Sequence, residues 1–326
     1  MAVLIVTHTK DHEAPVRVAA AIRARGGTPF RFDTDLFPTE SRLSLREEVG
    51  QSPGELITPE GRLDLAAVEA IYYRRSAIAD RIPKELEPQL RHPSVEESVR
   101  VVHGLLGGLD VFVLDPLDRI RRGENKPLQL RLAREVGLDV PRTLSTNDPE
   151  AVRAFAGRCP GGIITKMMAA FAVYDEGREM VVFTNPVSAE DLADLDGLDL
   201  CPMTFQERLD KRLELRVTVV GDRVMAAAID SQRSDRAKND WRRDGLAMIA
   251  DWQAYALPAD VAAKTVALME RLGLNYGAAD FIVTPQGRHL FLEVNPAGEY
   301  TWLLQYPGLP IDEALADLLL GRARRR

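Results

Sequence analysis

The chain has 326 residues, 45% of them hydrophobic and 28% charged, with a formal net charge of -7. At about 100–200 residues per domain this length holds two or three domains with ample core, and the acidic balance argues against a dedicated nucleic-acid binder, which carries a basic face. No stretch approaches the roughly 18 apolar residues of a membrane span.

Residues 2–6 form a short apolar run with no basic segment before it, which reads as a strand buried on both faces rather than a signal peptide. Cys159 and Cys201 are the only cysteines and lack metal-ligand spacing, so they read as reduced thiols of a cytoplasmic protein. A helical pattern through Val16, Ala19, Ala20, Ile22 and Arg23 stops at Gly26-Gly27. Strands are expected at 30–32, 70–73 and 111–114, and strands alternating with helices predict a parallel sheet with helical crossovers. The polar stretch 41–61 fits an antiparallel detour or a long loop.

Residues 119–125 are polar and break the pattern, which places the first domain boundary there. Asn125 is expected to cap a helix with Pro127 in its first turn and Leu128, Leu132 and Val136 along one face, ended by Gly137. Strands follow at 163–166 and 180–184, then an acidic helix or loop at 191–199. Strands 213–220 and 224–229 flank Gly221-Asp222, a strong hairpin signal. An amphipathic helix over 258–272 precedes two more strands, 278–284 and 289–294, and a last helix runs over 312–320. The closing arginines, Arg322, Arg324, Arg325 and Arg326, read as a frayed, solvated tail.

The last hairpin carries the clearest chemical signal. A turn at Gln286-Gly287 with Pro285 opposite Arg288 sets Asp280 opposite Glu293, with Asn295 two residues on and on the same face. Phe281, Leu292 and Val294 then point into a core. Facing carboxylates repel unless a cation lies between them, and two carboxylates with an amide oxygen suit Mg²⁺. The alternative is that both acids face solvent and point apart. Lys166 ends an apolar strand and Lys126 starts a helix, against that helix's dipole; each reads either as a surface cation or as a charge aimed at phosphates. Glu214 and Arg216 share a strand face, and Arg242 follows a polar loop; a solvated surface explains both as well as a ligand does. His289 reads as structural or surface, and no P-loop pattern is present.

The order of these features resembles the ATP-grasp ligases: Asn125-Lys126, a helix ending at Gly137-Leu138-Asp139-Val140-Pro141, Lys166, Gln206-Glu207, Glu214-Leu215-Arg216-Val217, Asp280 and Glu293-Val294-Asn295-Pro296. Within that superfamily, Lys166-Met167-Met168, Val182-Phe183-Thr184-Asn185, Asp240-Trp241-Arg242 and the run from Glu293 to Tyr300 resemble the maturases of microviridin-type peptides, the graspetide synthetases. One departure is that residues 167–174 contain no glycine, where many ATP-grasp enzymes carry a Gly-rich phosphate loop.

The resemblance implies an α/β fold, α+β in its C-terminal part, that clamps ATP between two sheets. It implies a pre-ATP-grasp domain at 1–120, a central domain at 121–205 and a C-terminal domain at 206–326. It implies that Lys126 and Lys166 hold phosphates, that Gln206, Glu207, Arg208 and Leu209 line the adenine pocket, and that Glu214 approaches the ribose. Asp280, Glu293 and Asn295 would hold two Mg²⁺ ions, and Arg216 and Arg242 would contact the γ-phosphate or a substrate carboxylate, with Lys166 among the catalytic groups.

The implied reaction joins Asp or Glu side chains of a ribosomal precursor peptide, leader plus core, to Thr or Ser hydroxyls or Lys amines through an acyl phosphate. A homodimer with no nucleic-acid or membrane partner is expected, with the acids Glu190, Asp191, Asp194, Asp196 and Asp199 as the leader-binding surface or, more plainly, a solvated helix. Two rivals stand beside it: intermolecular addition of an amino acid, as in glutamate ligases, and a non-catalytic nucleotide- or peptide-binding module.

Overall fold

The computed structural model describes residues 1–168, 172–175, 178–181, 184–234 and 241–326, without the side chains of 172–181, Arg242 and Leu246. Its first part runs β1 (Ala2–Thr7), α1 (Ala14–Ala24), β2 (Thr28–Asp33), β3 (Arg42–Leu45), β4 (Gly54–Thr58), β5 (Gly61–Asp64), β6 (Val68–Tyr73), α2 (Pro88–Gly108) and β7 (Phe112–Leu114). Strands β2-β1-β6-β7 pair in parallel, as the buried apolar runs require. The polar stretch after β2 is the antiparallel detour, a separate sheet β3-β4-β5.

The middle part comprises α3 (Leu117–Gly123), α4 (Lys126–Glu135), β8 (Thr143–Thr146), α5 (Pro149–Ala156), β9 (Ile163–Lys166), β10 (Ala172–Asp175), β11 (Arg178–Val181), β12 (Asn185–Pro186), α6 (Ala189–Ala193) and β13 (Met203–Glu207). Strands β12-β9-β13-β8 form an antiparallel sheet, and β10 pairs with β11. The expected break at 119–125 is largely the helix α3, whose Ile120 and Gly123 are buried. Of the strand expected over 180–184, residues 182–183 lie outside the described residues.

The last part comprises β14 (Leu213–Val220), β15 (Arg223–Ile229), α7 (Gly245–Met248), β16 (Gln253–Ala254), α8 (Ala259–Leu272), β17 (Tyr276–Val283), β18 (His289–Asn295), α9 (Thr301–Gln305) and α10 (Ile311–Leu319). Its sheet order is β16-β15-β14-β17-β18, antiparallel throughout. One face packs on α4 and α8, with Leu132, Leu268, Leu272, Phe281 and Phe291 in a single core. Helix α10 packs on α1 and carries the first sheet's core into the last part, so the two share Ile22, Leu315, Leu318 and Leu319.

The C-terminal arginines are not frayed. The Arg326 guanidinium donates to the Gly221 carbonyl at 2.8 Å, its amide donates to Asn275 Oδ1 at 2.7 Å, and Arg325 lies 4.1 Å over the Phe112 ring. These partners are remote in sequence, so local composition carries no trace of them. Among the described residues no helix is long and apolar enough to cross a membrane.

Candidate active site

The site is built on the last hairpin. Asp280 pairs with Glu293 and Ala278 with Asn295, as the sequence predicts. The route to that register is different. Thr284, not Pro285, faces Arg288, with the Thr284 amide donating to the Arg288 carbonyl at 2.9 Å. A bulge then falls between Asp280 and Phe281, where Leu292 is the extra residue and restores the offset. A bulge re-aims side chains: Leu292 lines the cleft instead of entering the core expected for it, while Phe281 and Val294 are buried as predicted.

The facing acids are compensated by cations from other elements. Arg216, on the neighbouring β14, holds Asp280 at 3.0 Å, and Lys126, at the start of α4, holds Glu293 at 3.0 Å. Asn125 caps α4, its side chain accepting from the Leu128 amide at 3.0 Å. One turn on, buried Gln129 fixes α4 to β18: its amide donates to the Val294 carbonyl at 2.8 Å and accepts from the Val294 amide at 2.9 Å. Lys126 is thereby set against the residue before Val294. The Asn295 amide stands 3.3 Å from Asp280 and 3.4 Å from Glu293. A half-turn of that amide brings its oxygen to the same side, so two carboxylates and one amide oxygen converge, a donor set that fits Mg²⁺.

These groups lie in a cleft of about 690 Å³ between the β9–β13 sheet and the last sheet. Its lining includes Ile164, Gln206, Glu207, Arg208, Leu209 and Glu214, the residues Arg75, Glu299, Trp241 and Trp252, and Lys126, Lys166, Asp280, Glu293 and Asn295. Gln206 is buried and donates to Thr143 Oγ1 at 2.9 Å. Glu207 accepts from the Arg142 amide at 2.8 Å, and the Arg208 amide is committed to the Gly162 carbonyl at 2.9 Å. Glu214 takes Lys211 at 2.7 Å. Arg216 also stacks 5.4 Å over Trp302. The protein's three tryptophans cluster here, Trp241 lying 5.1 Å from Trp252 and 5.7 Å from Trp302.

The structure thus brings together every expected site residue except Arg242, whose side chain lies outside the described residues together with Asp240. His289 bonds Tyr255 at 2.8 Å, away from the cleft lining, and burial pushes its pKa down. Sequence reasoning assigned Gln129, Arg75 and Glu299 no site role of their own, and it put Leu292 in the core. The signal for Arg75 was its place, just past the C-terminal end of a parallel strand, where such sheets bind ligands.

Residues 2–121 match the model of the MvdD pre-ATP grasp domain. Over 98% of this chain and all of the other, the fold matches the crystal structure of macrocyclase MdnC bound with precursor peptide MdnA from Microcystis aeruginosa MRC, at 42% identity and a TM-score of 0.87. The chain belongs to the RiPP-associated ATP-grasp ligases. A ligase of that description from Chryseobacterium gregarium, in complex with ADP and a leader and core peptide, is 36% identical over 99% of this chain and 98% of its own, with a TM-score of 0.95. ATP-grasp ligase PsnB, complexed with minimal precursor, Mg and ADP, is 26% identical over 98% of this chain and 97% of its own, with a TM-score of 0.76. Comparison with curated proteins gives no match. The α/β architecture with its antiparallel last sheet is therefore an ATP-grasp fold with a pre-ATP-grasp domain, and the protein is an ATP-grasp ligase.

Proposed function

We propose that the protein is an ADP-forming macrocyclase: it activates Asp or Glu side-chain carboxylates of a ribosomal precursor peptide as acyl phosphates and joins them to Thr or Ser hydroxyls, or Lys amines. The observation that carries this reading is one cleft of about 690 Å³ lined together by the paired carboxylates with Lys126, Lys166 and Arg216, by Gln206 to Leu209 and Glu214, and by the charged and aromatic side chains Arg75, Glu299, Trp241 and Trp252.

A carboxylate is a poor electrophile, and ATP makes its oxygen a leaving group. The charge spread over the transferred phosphoryl group has to be met by positioned cations. Bound Mg²⁺, two ions in this proposal, would neutralise phosphate charge between Asp280, Glu293 and Asn295. The chain's own groups do the rest. Ile164 and Leu292 flank the base, and the hinge Gln206-Glu207-Arg208-Leu209 lies along it; with the Arg208 amide already used, Leu209 is the hinge amide left for the ring. Glu214 meets the ribose, Lys126 and Lys166 grip phosphates, and Arg216 and Arg242 hold the γ-phosphate or the carboxylate. Arg216 and Lys126 neutralise Asp280 and Glu293 here; with the acids serving Mg²⁺, both cations would be available to phosphate. Ring closure needs no covalent enzyme intermediate, because holding both side chains of one peptide together supplies much of the rate.

The division at 1–120, 121–205 and 206–326 is part of the proposal, as are the cytoplasm, supported by two free cysteines, and a homodimer. The 21-residue α2 supports the dimer, burying only Ser98, Val102, Leu105 and Leu106. The leader is placed on the acidic α6 surface. The test is ADP release from ATP with Mg²⁺ and the MdnA precursor: release that needs both peptide and Mg²⁺ is expected, and peptide-independent release contradicts the reading.

A further inference from the structure

Glu299 is held by two arginines of the first domain. Its Oε2 lies 2.6 Å from Arg74 Nη2, and its Oε1 pairs with Arg75 Nη2. The two arginines differ. The Arg74 side chain is 2% exposed, stacks over Tyr300 and donates to the Ala297 carbonyl at 2.9 Å, so it is part of the frame. The Arg75 side chain is 39% exposed and lines the cleft beside Glu299.

We propose that Arg75 is the seat for the substrate's side-chain carboxylate, and that Glu299 occupies that seat in the peptide-free protein. The inference rests on the ligase reading above. Three observations carry it. Arg75 lies two residues past Tyr73, the last residue of β6, at the end of a parallel sheet where ligands gather, and it lines the cleft. Its present partner is itself a carboxylate, so the guanidinium fork is already set for that chemistry. The exchange leaves no charge stranded: when Arg75 turns to substrate, Glu299 keeps Arg74, and a pair as exposed as Arg75–Glu299 is weak. Arg216 is less suited, being nearly buried where the Arg75 side chain is open to the cleft. The seat is specific for an acid, and it lines the same cleft as the paired carboxylates.

The test compares wild type, Arg75→Ala, Arg75→Lys and Glu299→Gln. ADP release with the MdnA precursor gives KM and kcat. Quenching of tryptophan emission by glutarate, with MgADP present, reads the seat without turnover. For Arg75→Ala, peptide KM and glutarate Kd should each rise about tenfold or more while KM for ATP stays within about twofold. Arg75→Lys should recover part of the loss, and Glu299→Gln should hold or lower the peptide KM. Unchanged peptide KM and glutarate affinity in Arg75→Ala overturns the proposal, as does a Glu299→Gln peptide KM that rises as far as that of Arg75→Ala. Wild type that releases no ADP with peptide contradicts the macrocyclase reading instead, and the glutarate arm still decides Arg75.

Discussion

Two groups of acids flank the same strand. At the start of β17, Asp115 is buried and receives the Asn275 amide at 2.9 Å, the Asn275 side chain at 2.8 Å and the Tyr276 amide at 2.9 Å. Midway along β17, Asp280 faces Glu293, both part-exposed, and their cations arrive on long side chains from β14 and α4. Asp115 is tied mostly to backbone that cannot move away. Burial lifts its carboxyl above the ordinary value despite those donors. Asp280 and Glu293 are tied to partners that can turn to another anion. The first arrangement is a joint between domains; the second is a site that can change partners, and exchangeable compensation is what separates them.

Glu293→Gln should break the second arrangement without touching the first. Peptide-dependent ADP release should fall by about 10²-fold or more, since the group meets charge at the reaction centre, while the thermal midpoint holds because relief of the like-charge pair offsets loss of the Lys126 ion pair. A stable variant with full turnover would refute the metal assignment. Asp115→Ala should do the reverse. Three buried donors lose their acceptor, so urea unfolding should show a loss of about 3 kcal/mol or more, with turnover per folded molecule kept. Gln129→Ala sharpens the boundary, because it strips the Val294 amide and carbonyl of partners and loosens the placement of Lys126. A loss of about 2 kcal/mol is expected, with a raised KM for ATP; a stability loss with unchanged KM would show that α4 is held by packing alone.

The smallest effect lies outside both groups. The Ser188 amide and hydroxyl hold the Asp191 carboxyl below its ordinary value of 3.8 and close a capping box at α6. The lowered value means that this cap is intact above that pH and is lost as pH falls through the folded value. Asp191→Asn should remove the step from an NMR titration of the Ser188 amide. Because Asp191 is part of the helix start, Glu190→Lys is the cleaner probe of leader binding.

What was legible in the sequence followed from short-range pattern. The parallel strands, the Asn125 cap, the Gly221-Asp222 hairpin and the shared face of Asp280, Glu293 and Asn295 all depend on period and turn chemistry within about fifteen residues. The register of the last hairpin is the instructive case. Its turn was placed one residue off, and the bulge at Leu292 cancelled the error, so the acids were matched correctly and Leu292 was not. A bulge is set by packing of a strand against its partners, which a single run of residues does not encode. Arg326 at Gly221 and Asn275, Gln129 at Val294, and Arg74 and Arg75 at Glu299 were illegible for a related reason: each joins elements that are neighbours only once the chain is folded.

On the proposed function, the exchangeable site activates a peptide's own carboxylate for attack by the same peptide. Mass spectrometry of the MdnA precursor after incubation with MgATP tests this most directly. Loss of one water mass for each ADP released is expected, with no change for Glu293→Gln. A mass gain equal to an amino-acid residue, or ADP release with the peptide mass unchanged, would contradict it.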